Sequence, residues 1–250
     1  MSTKLELKVN DNVVTAERGE LLLDVLRRAG VLVPTLCEHP GLEGVGSCRL
    51  CLVEVNTGRR SQLVASCLYP VEGELTVLTD SPRVNEARRF VLTLLLARYS
   101  DVQLIEELAR RYGVKPVERL QAEPADCLLC LRCVRACAAQ GNGAIATCLR
   151  GREKRVSPPF DEPPADCVGC GACAEVCPLG AIKVEEGEGK RRIWGREFTL
   201  VHCQSCGEPF ATREQFDYLR KQPPDLLVEE ELCPRCRKLD QALRISGSTT

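Results

Sequence analysis

A short cysteine-rich unit occurs twice, as PADCLLCLRCVRACAAQGNGAI at residues 124–145 and as PADCVGCGACAEVCPLGAI at 164–182. Both copies begin Pro-Ala-Asp-Cys and end Gly-Ala-Ile, so duplication of one small unit is the economical account. Each carries C-x2-C-x2-C-x3-C: Cys127, Cys130, Cys133 and Cys137, then Cys167, Cys170, Cys173 and Cys177 followed by Pro178. Three thiols at two-residue gaps can wrap one face of an iron–sulfur cubane, and the fourth ligand must come from elsewhere. In the two-cluster ferredoxin arrangement it crosses to the other cluster. That rule predicts one [4Fe-4S] cluster on Cys127, Cys130, Cys133 and Cys177, and a second on Cys167, Cys170, Cys173 and Cys137. Two structural zinc sites are the competing account, but zinc usually takes two separated ligand pairs rather than a tight run of four. Gly169, Gly171 and Ala172 suit close backbone approach to sulfur.

The N-terminal third has its own framework, Cys37-x10-Cys48-x2-Cys51-x15-Cys67. Residues 4–9 and 12–16 read as two strands around a turn at Asn10, Asp11 and Asn12. Leu21, Leu22, Val25 and Leu26 share one helical face that stops at Gly30, and CLVEV and ELTVLT read as further strands. This order predicts a compact α+β module of the β-grasp kind. Four thiolates from its loop suit a [2Fe-2S] rhomb, two for each iron, although the first gap is longer than the C-x4-C of plant ferredoxins. Gly41, Gly44 and Gly46 are expected to supply positive φ angles for that longer loop. Zinc stays open here, because the gaps alone do not exclude it.

Residues 81–126 contain neither Cys nor His and show two amphipathic helical patterns, with Pro82 near the first start and Gly113 near the second stop. They predict a helical connector. SPPFDEPP, at 157–164, is a stiff link between the repeats. At the other end, Cys203-x2-Cys206-x26-Cys233-x2-Cys236 forms two knuckles suited to one tetrahedral metal, zinc or a rubredoxin-like iron. They look like a zinc ribbon with a structural or docking role, and the acidic run VEEEL before Cys233 argues against nucleic acid. The predicted organisation is a β-grasp [2Fe-2S] domain at 1–80, the connector at 81–123, a two-[4Fe-4S] ferredoxin-like module at 124–186 and a zinc-ribbon-like domain at 190–245. Cys148 is left over and reads as a small buried apolar residue. His39 and His202 stand beside ligands without being needed as ligands.

The totals agree with metal-held modules. Seventeen cysteines stand against 5 Phe, 4 Tyr and 1 Trp in 250 residues, so the aromatic payload of a large core is thin. An odd cysteine count precludes complete disulfide pairing, and close thiol spacing in a chain without a secretory signal predicts a reducing, cytoplasmic setting. No apolar run is long enough to span a bilayer. The formal charge of −1 offers no global field for nucleic acid or anionic lipid, and the basic runs at 150–155 and 189–192 read as solvated loops.

PTLCEHPGLEGVGSCRLCLVEV and ASCLYPVEGELTVLT, followed by the duplication ending CVGCGACAEVCPLGAI, resemble the electron-transfer subunit of NAD-linked soluble hydrogenases. The same pattern occurs at the N-terminus of the large iron–sulfur subunit of respiratory NADH dehydrogenase and in NAD-linked formate dehydrogenases. The resemblance covers residues 1 to about 185 and all twelve ligand positions. It implies a non-catalytic relay subunit of a cytosolic NAD(P)-linked complex, passing single electrons between a flavoprotein that oxidises NAD(P)H and a hydrogenase partner, with electron bifurcation an open option. Many members insert a His-plus-three-Cys cluster between the modules, and residues 81–126 lack its ligands. No GxGxxG opens a helix after a strand, so NAD and flavin belong on another chain if they are used. A formate dehydrogenase relay is the alternative in the same class, and a cluster-based DNA-binding redox sensor the alternative in another; no basic recognition helix stands out for the latter.

Overall fold

The structure, a computed structural model, describes residues 4–58, 60–221 and 231–247. It divides into two compact units, one running to Arg132 and the other starting at Cys133.

The first unit opens with a hairpin of β1 (Lys4–Val9) and β2 (Asn12–Glu17), registered from Lys4 opposite Glu17 to Val9 opposite Asn12. Asn10 takes a φ of 51°, which this short polar side chain tolerates in a tight turn. Helix α1 (Leu22–Arg28) follows, then β3 (Leu52–Asn56), β4 (Ser61–Ala65) and β5 (Leu75–Leu78). The sheet order is β2-β1-β5-β3-β4, with β1 and β5 parallel and the other pairs antiparallel. Period-two alternation puts Leu7 and Val9, Val53 and Val55, and Leu75 and Val77 on one face, where Leu22, Val25 and Leu26 of α1 cover them. Each fully buried Val or Leu contributes about 1.5–3 kcal/mol relative to exposure. Leu23 points the other way and packs with Cys51, Ala65 and Cys67, so α1 joins the sheet core to the ligand loop. Strand β4 lies outside the elements expected from sequence; it is an edge strand whose residues are mostly half-buried, which weakens the alternation signal.

The expected connector is not a free tether. Helix α2 (Pro82–Arg98) starts at Ser81, whose hydroxyl accepts the Val84 N–H, with Pro82 at the first helical position. With α3 (Gln103–Arg111) it forms a second core in which Leu92, Leu96, Tyr99, Ile105 and Ala109 pack against Leu36 and Leu50 of the ligand loop. The inward stripe of α2 is Val84, Arg88, Leu92 and Leu96, a strict i, i+4 series.

The second unit holds α4 (Arg132–Ala139), which starts at the division, the pair β6 (Ala146–Cys148) and β7 (Arg155–Ser157), and the short α5 (Ala172–Glu175). Strands β8 (Glu185–Gly187), β9 (Lys190–Ile193), β10 (Arg196–His202) and β11 (Pro209–Thr212) form an antiparallel sheet in the order β11-β10-β9-β8. Helices α6 (Arg213–Arg220) and α7 (Pro234–Ile245) follow. Ile193 and Phe198 from this sheet are buried with Cys133, Ile145 and Cys173, so the C-terminal sheet shares a core with the repeats. The basic run at 189–192 is committed within the sheet: Lys190 and Arg192 pair with Glu197, and Arg191 with Glu186. The acidic run before Cys233 lies partly outside the described residues. Among the described residues no helix is long and apolar enough to cross a membrane.

Candidate iron–sulfur and metal sites

All seventeen cysteines are free thiols. In the first unit Cys37, Cys51 and Cys67 are buried and Cys48 is half-buried. They fall into two close pairs. Cys51 and Cys67 Sγ lie 3.3 Å apart, and the Cys37 and Cys48 thiols share a hydrogen bond. The neighbouring thiol of Cys48, helped by backbone N–H groups, brings Cys37 down to about 5, and Cys67 likewise brings Cys51 down to about 6. The partner thiols Cys48 and Cys67 are pushed up in turn. Two close thiol pairs, each with one thiol that gives up its proton readily, form the donor set a [2Fe-2S] rhomb requires, one pair for each iron. Backbone N–H groups already aim at sulfur, from Cys48 to Cys37 Sγ at 3.4 Å and from Leu36 to Cys48 Sγ at 3.5 Å.

The loop glycines act differently from expectation. Gly46 has a φ of +61°, but Gly44 has no such angle; a Cβ there would come within 2.7 Å of the Cys67 carbonyl oxygen. Close approach to the Cys67 turn, not backbone handedness, excludes a side chain at Gly44. Gly41 shows neither constraint, and its N–H donates to His39 Nδ1 at 3.2 Å in a local turn.

Three consecutive carbonyls around Cys51 are tied outward. Arg88, 2% exposed, donates from Nε to Leu50 O at 3.1 Å and from Nη2 to Leu52 O at 2.7 Å, while Ser66 Oγ donates to Cys51 O at 2.8 Å. Arg88 Nη1 also donates to Thr79 O at 3.0 Å and to the Tyr112 hydroxyl at 3.2 Å. The connector thus supplies a buried guanidinium that holds the ligand loop.

The two repeats show one backbone solution written in different residues. The second and fourth residues after the first cysteine take positive φ in both copies: Leu129 at 51° and Leu131 at 61°, Gly169 at 68° and Gly171 at 77°. The left-handed turn lets backbone N–H groups face sulfur, as Leu129 N does to Cys127 Sγ and Gly169 N to Cys167 Sγ, each at 3.4 Å. Only the second copy requires glycine sterically, since a Cβ at Gly169 would lie 2.7 Å from the Phe198 ring. Gly169→Ala is therefore expected to cost about 1–3 kcal/mol, whereas Leu129→Gly relieves left-handed strain and is neutral or stabilising by up to about 1 kcal/mol. Iron content and melting temperature of the two variants check the contrast.

Of the first predicted cubane set, Cys127 and Cys130 belong to the first unit and Cys133 and Cys177 to the second. The Tyr99 hydroxyl donates to Cys127 O at 2.9 Å, and the Ala181 N–H to Cys177 Sγ at 3.3 Å. The second set lies within one unit. Burial pushes Cys173 up to about 11, opposed by the Trp194 indole N–H, with Cys170, Cys137 and Cys167 adding to the rise. Cys137, from the first repeat, thus sits within electrostatic range of Cys167 and Cys173, and the Ala144 N–H donates to Cys137 Sγ at 3.2 Å.

At the C-terminus the sulfur atoms of Cys203, Cys206, Cys233 and Cys236 all lie within 4.8 Å of one another. The Cys206–Cys233 distance of 3.9 Å is close to the ~3.8 Å edge of a tetrahedron with ~2.3 Å metal–sulfur bonds. The N–H of Cys233 donates to Cys203 Sγ at 3.3 Å and is the chief cause that brings this thiol down to about 6. The donor set fits one four-coordinate metal. Cys148 is half-buried on β6, with Ser157 Oγ 3.2 Å from its sulfur, and joins no ligand group.

Sequence reasoning missed the side chains that hold the ligand loops: Arg88, and in the second unit Arg191, Trp194, Arg196 and Thr212. One signal was available for Trp194, the only tryptophan, because it occupies a hairpin turn position that ordinarily takes Asn or Gly.

Comparison with known proteins bears on the N-terminal framework and on the second copy of the repeat. Residues 2–82 match the 2Fe-2S iron-sulfur cluster binding domain, and residues 166–211 the 4Fe-4S dicluster domain. The chain is 28% identical over 267 aligned positions to an NADH-quinone oxidoreductase subunit of Rhizobium meliloti, covering 93% of this chain and 31% of that protein. It is 32% identical over 215 residues to the HndD subunit of the NADP-reducing hydrogenase of Solidesulfovibrio fructosivorans, covering 73% and 36%. With the mitochondrial NADH-ubiquinone oxidoreductase 78 kDa subunit of Neurospora crassa it shares 29% over 218 residues, covering 76% and 29%. The chain therefore spans about a third of the length of these relatives. A crystal structure of NAD+-reducing [NiFe]-hydrogenase in the H2-reduced state superposes with a TM-score of 0.52 at 28% identity, over 62% of this chain and 75% of that one. This chain is an iron–sulfur protein that joins a 2Fe-2S cluster binding domain to a 4Fe-4S dicluster domain, and it is related to subunits of NADH- and NADP-linked oxidoreductases, hydrogenases among them.

Proposed function

We propose that the chain is an electron-relay subunit of a cytoplasmic NAD(P)-linked oxidoreductase complex, with a hydrogenase as the favoured catalytic partner and a flavoprotein as the electron donor or acceptor. The observation that carries this reading is the tandem of a [2Fe-2S] framework and a duplicated [4Fe-4S] framework in one chain whose relatives are subunits of such complexes. Cys37, Cys48, Cys51 and Cys67 hold the [2Fe-2S] cluster. Cys127, Cys130, Cys133 and Cys177 hold the first cubane, and Cys167, Cys170, Cys173 and Cys137 the second; the electrostatic proximity of Cys137 to Cys167 and Cys173 supports the second set. Cys203, Cys206, Cys233 and Cys236 hold zinc in a ribbon-like segment.

Bound clusters supply one-electron chemistry. The chain's own residues bury the thiolates, which raises the penalty for adding negative charge to a cluster, and direct N–H groups at sulfur and turn carbonyls away, which lowers it. Seventeen free cysteines suit the reducing cytoplasm.

Metal and acid-labile sulfide analysis of anaerobically purified protein, with EPR after reduction, tests the reading. It predicts about ten iron, ten sulfide and one zinc per chain, with one [2Fe-2S] and two [4Fe-4S] signals. Zinc at the N-terminal or duplicated sites would remove the electron path and overturn it. The isolated chain is also expected to leave NADH unoxidised until a flavoprotein partner is added.

A further inference from the structure

Strand β10 connects two sites. Its last residues lead into the Cys203-x2-Cys206 knuckle, a turn closed by Cys203 N–Glu208 O at 2.9 Å and Gly207 N–Cys203 O at 2.8 Å. Its first residues lie on the ligand loop of the second cubane. Arg196 Nη1 donates to the carbonyls of Pro164, Ala165 and Cys167 at 2.7–2.8 Å, and the Phe198 ring fills the space where Gly169 has no side chain. On its neighbours, Arg191 Nη1 donates to Gly169 O at 2.8 Å and the Thr212 hydroxyl to Val168 O. Helix α6 adds Tyr218, whose hydroxyl leaves no room for a Cβ at Gly141 in the loop that follows Cys137. These contacts converge on the loops that carry Cys137, Cys167 and Cys173.

Trp194 makes the most direct contact. Its indole N–H donates to Cys173 Sγ at 3.5 Å. Trp194 and Gly195 form the two-residue turn between β9 and β10, with φ of 53° and 73°, the type I′ pattern. A bulky residue at positive φ is a genuine outlier, and such strain persists where the surroundings require it. The indole's reach to sulfur is what this strained placement achieves.

Among the described residues, the distal part of the C-terminal segment has a small core of its own. Val201 and Phe216 are buried there, with Phe210 and Leu219 packed beside them, and Leu200 and Ala211 are also buried. Each larger buried side chain contributes about 1.5–3 kcal/mol, while ordering each residue opposes folding by about 1–2 kcal/mol. A metal across Cys203, Cys206, Cys233 and Cys236 supplies the missing stabilisation. Phe198 stands five residues from Cys203, about 17 Å along the strand. Such a metal acts on the cubane through the strand rather than by contact.

We infer that the C-terminal four-cysteine site is a clasp for the second [4Fe-4S] cluster: metal bound there holds the β9–β11 sheet over the loops of Cys137, Cys167 and Cys173 and so sets how tightly that one cluster is retained. This rests on the ligand reading given under Proposed function and adds the role of the metal. The test uses the full chain carrying Cys206→Ser and Cys236→Ser, anaerobically purified. It measures zinc content, iron release to a ferrous chelator and the EPR signal of each cluster, with Cys170→Ala identifying the second cubane's signal. The expected result is loss of the zinc and at least a tenfold faster iron release from the second cubane, with the [2Fe-2S] signal unchanged. Release at the parent rate, or equal acceleration at both cubanes, overturns the clasp. Trp194→Phe, which leaves the four-cysteine site intact, is expected to lower the midpoint potential of the second cubane alone; an unchanged potential removes the Trp194 contact from the account. Iron and sulfide content of the unaltered chain judges the ligand reading separately.

Discussion

Stripping the clusters from the full chain is expected to unfold the second unit and spare the first. The core shared by the repeats and the C-terminal sheet has five buried residues, Cys133, Ile145, Cys173, Ile193 and Phe198, and two are sulfur donors. Cys137 and Cys167 pack against the same core. Without iron nothing binds these thiols to one another, and the remaining apolar burial is too small to offset chain entropy. The first unit keeps eleven buried hydrophobic residues between α1 and its sheet, independent of any ligand. Peptide-resolved hydrogen exchange on iron-depleted protein should show β1, β3 and β5 still protected and β9 and β10 exchanging like an unfolded chain. Retained protection at β10 would mean that this core closes without its clusters.

Replacing Arg88 by Met is expected to produce the largest loss among single substitutions outside the ligands, about 3–5 kcal/mol. The side chain is 2% exposed and satisfies the carbonyls of Leu50, Leu52 and Thr79. Methionine fills much of the volume but leaves three buried acceptors unpaired, each costing about 1–3 kcal/mol before relaxation. The charge has a separate effect. A buried cation beside the Cys51 loop favours the more negative reduced cluster, so Arg88→Met should also lower the [2Fe-2S] potential. Arg88→Lys keeps the charge without the fork of donors, and should recover the potential more fully than the stability. Urea unfolding and an EPR-monitored redox titration separate the two effects. Equal recovery of both by lysine would contradict this division.

Arg88 and the Arg191–Arg196–Thr212 group do the same physical work in different units. Each ligand loop must present N–H groups to sulfur, so its carbonyls face away and need donors of their own. Side chains from a neighbouring helix or sheet supply them. None of this was visible along the chain: Arg88 lies 38 positions from Leu50, and Thr212 lies 44 from Val168. The C-terminal sheet was harder still to place, since composition separates it from the repeats while Phe198 packs into their core.

What the sequence determined by itself were the elements whose cause is local. Alternation set the strands around α1, Ser81 and Pro82 started α2, and thiol spacing marked both cluster frameworks and the C-terminal four-cysteine group. Tertiary structure decided which donors close each ligand loop, that the connector belongs to the first unit's core, and that one strand carries both Phe198 and the approach to Cys203. The division has one physical reason. Spacing and propensity act within a few residues, whereas satisfying a buried carbonyl or filling the space above a glycine depends on whichever distant segment the fold brings there.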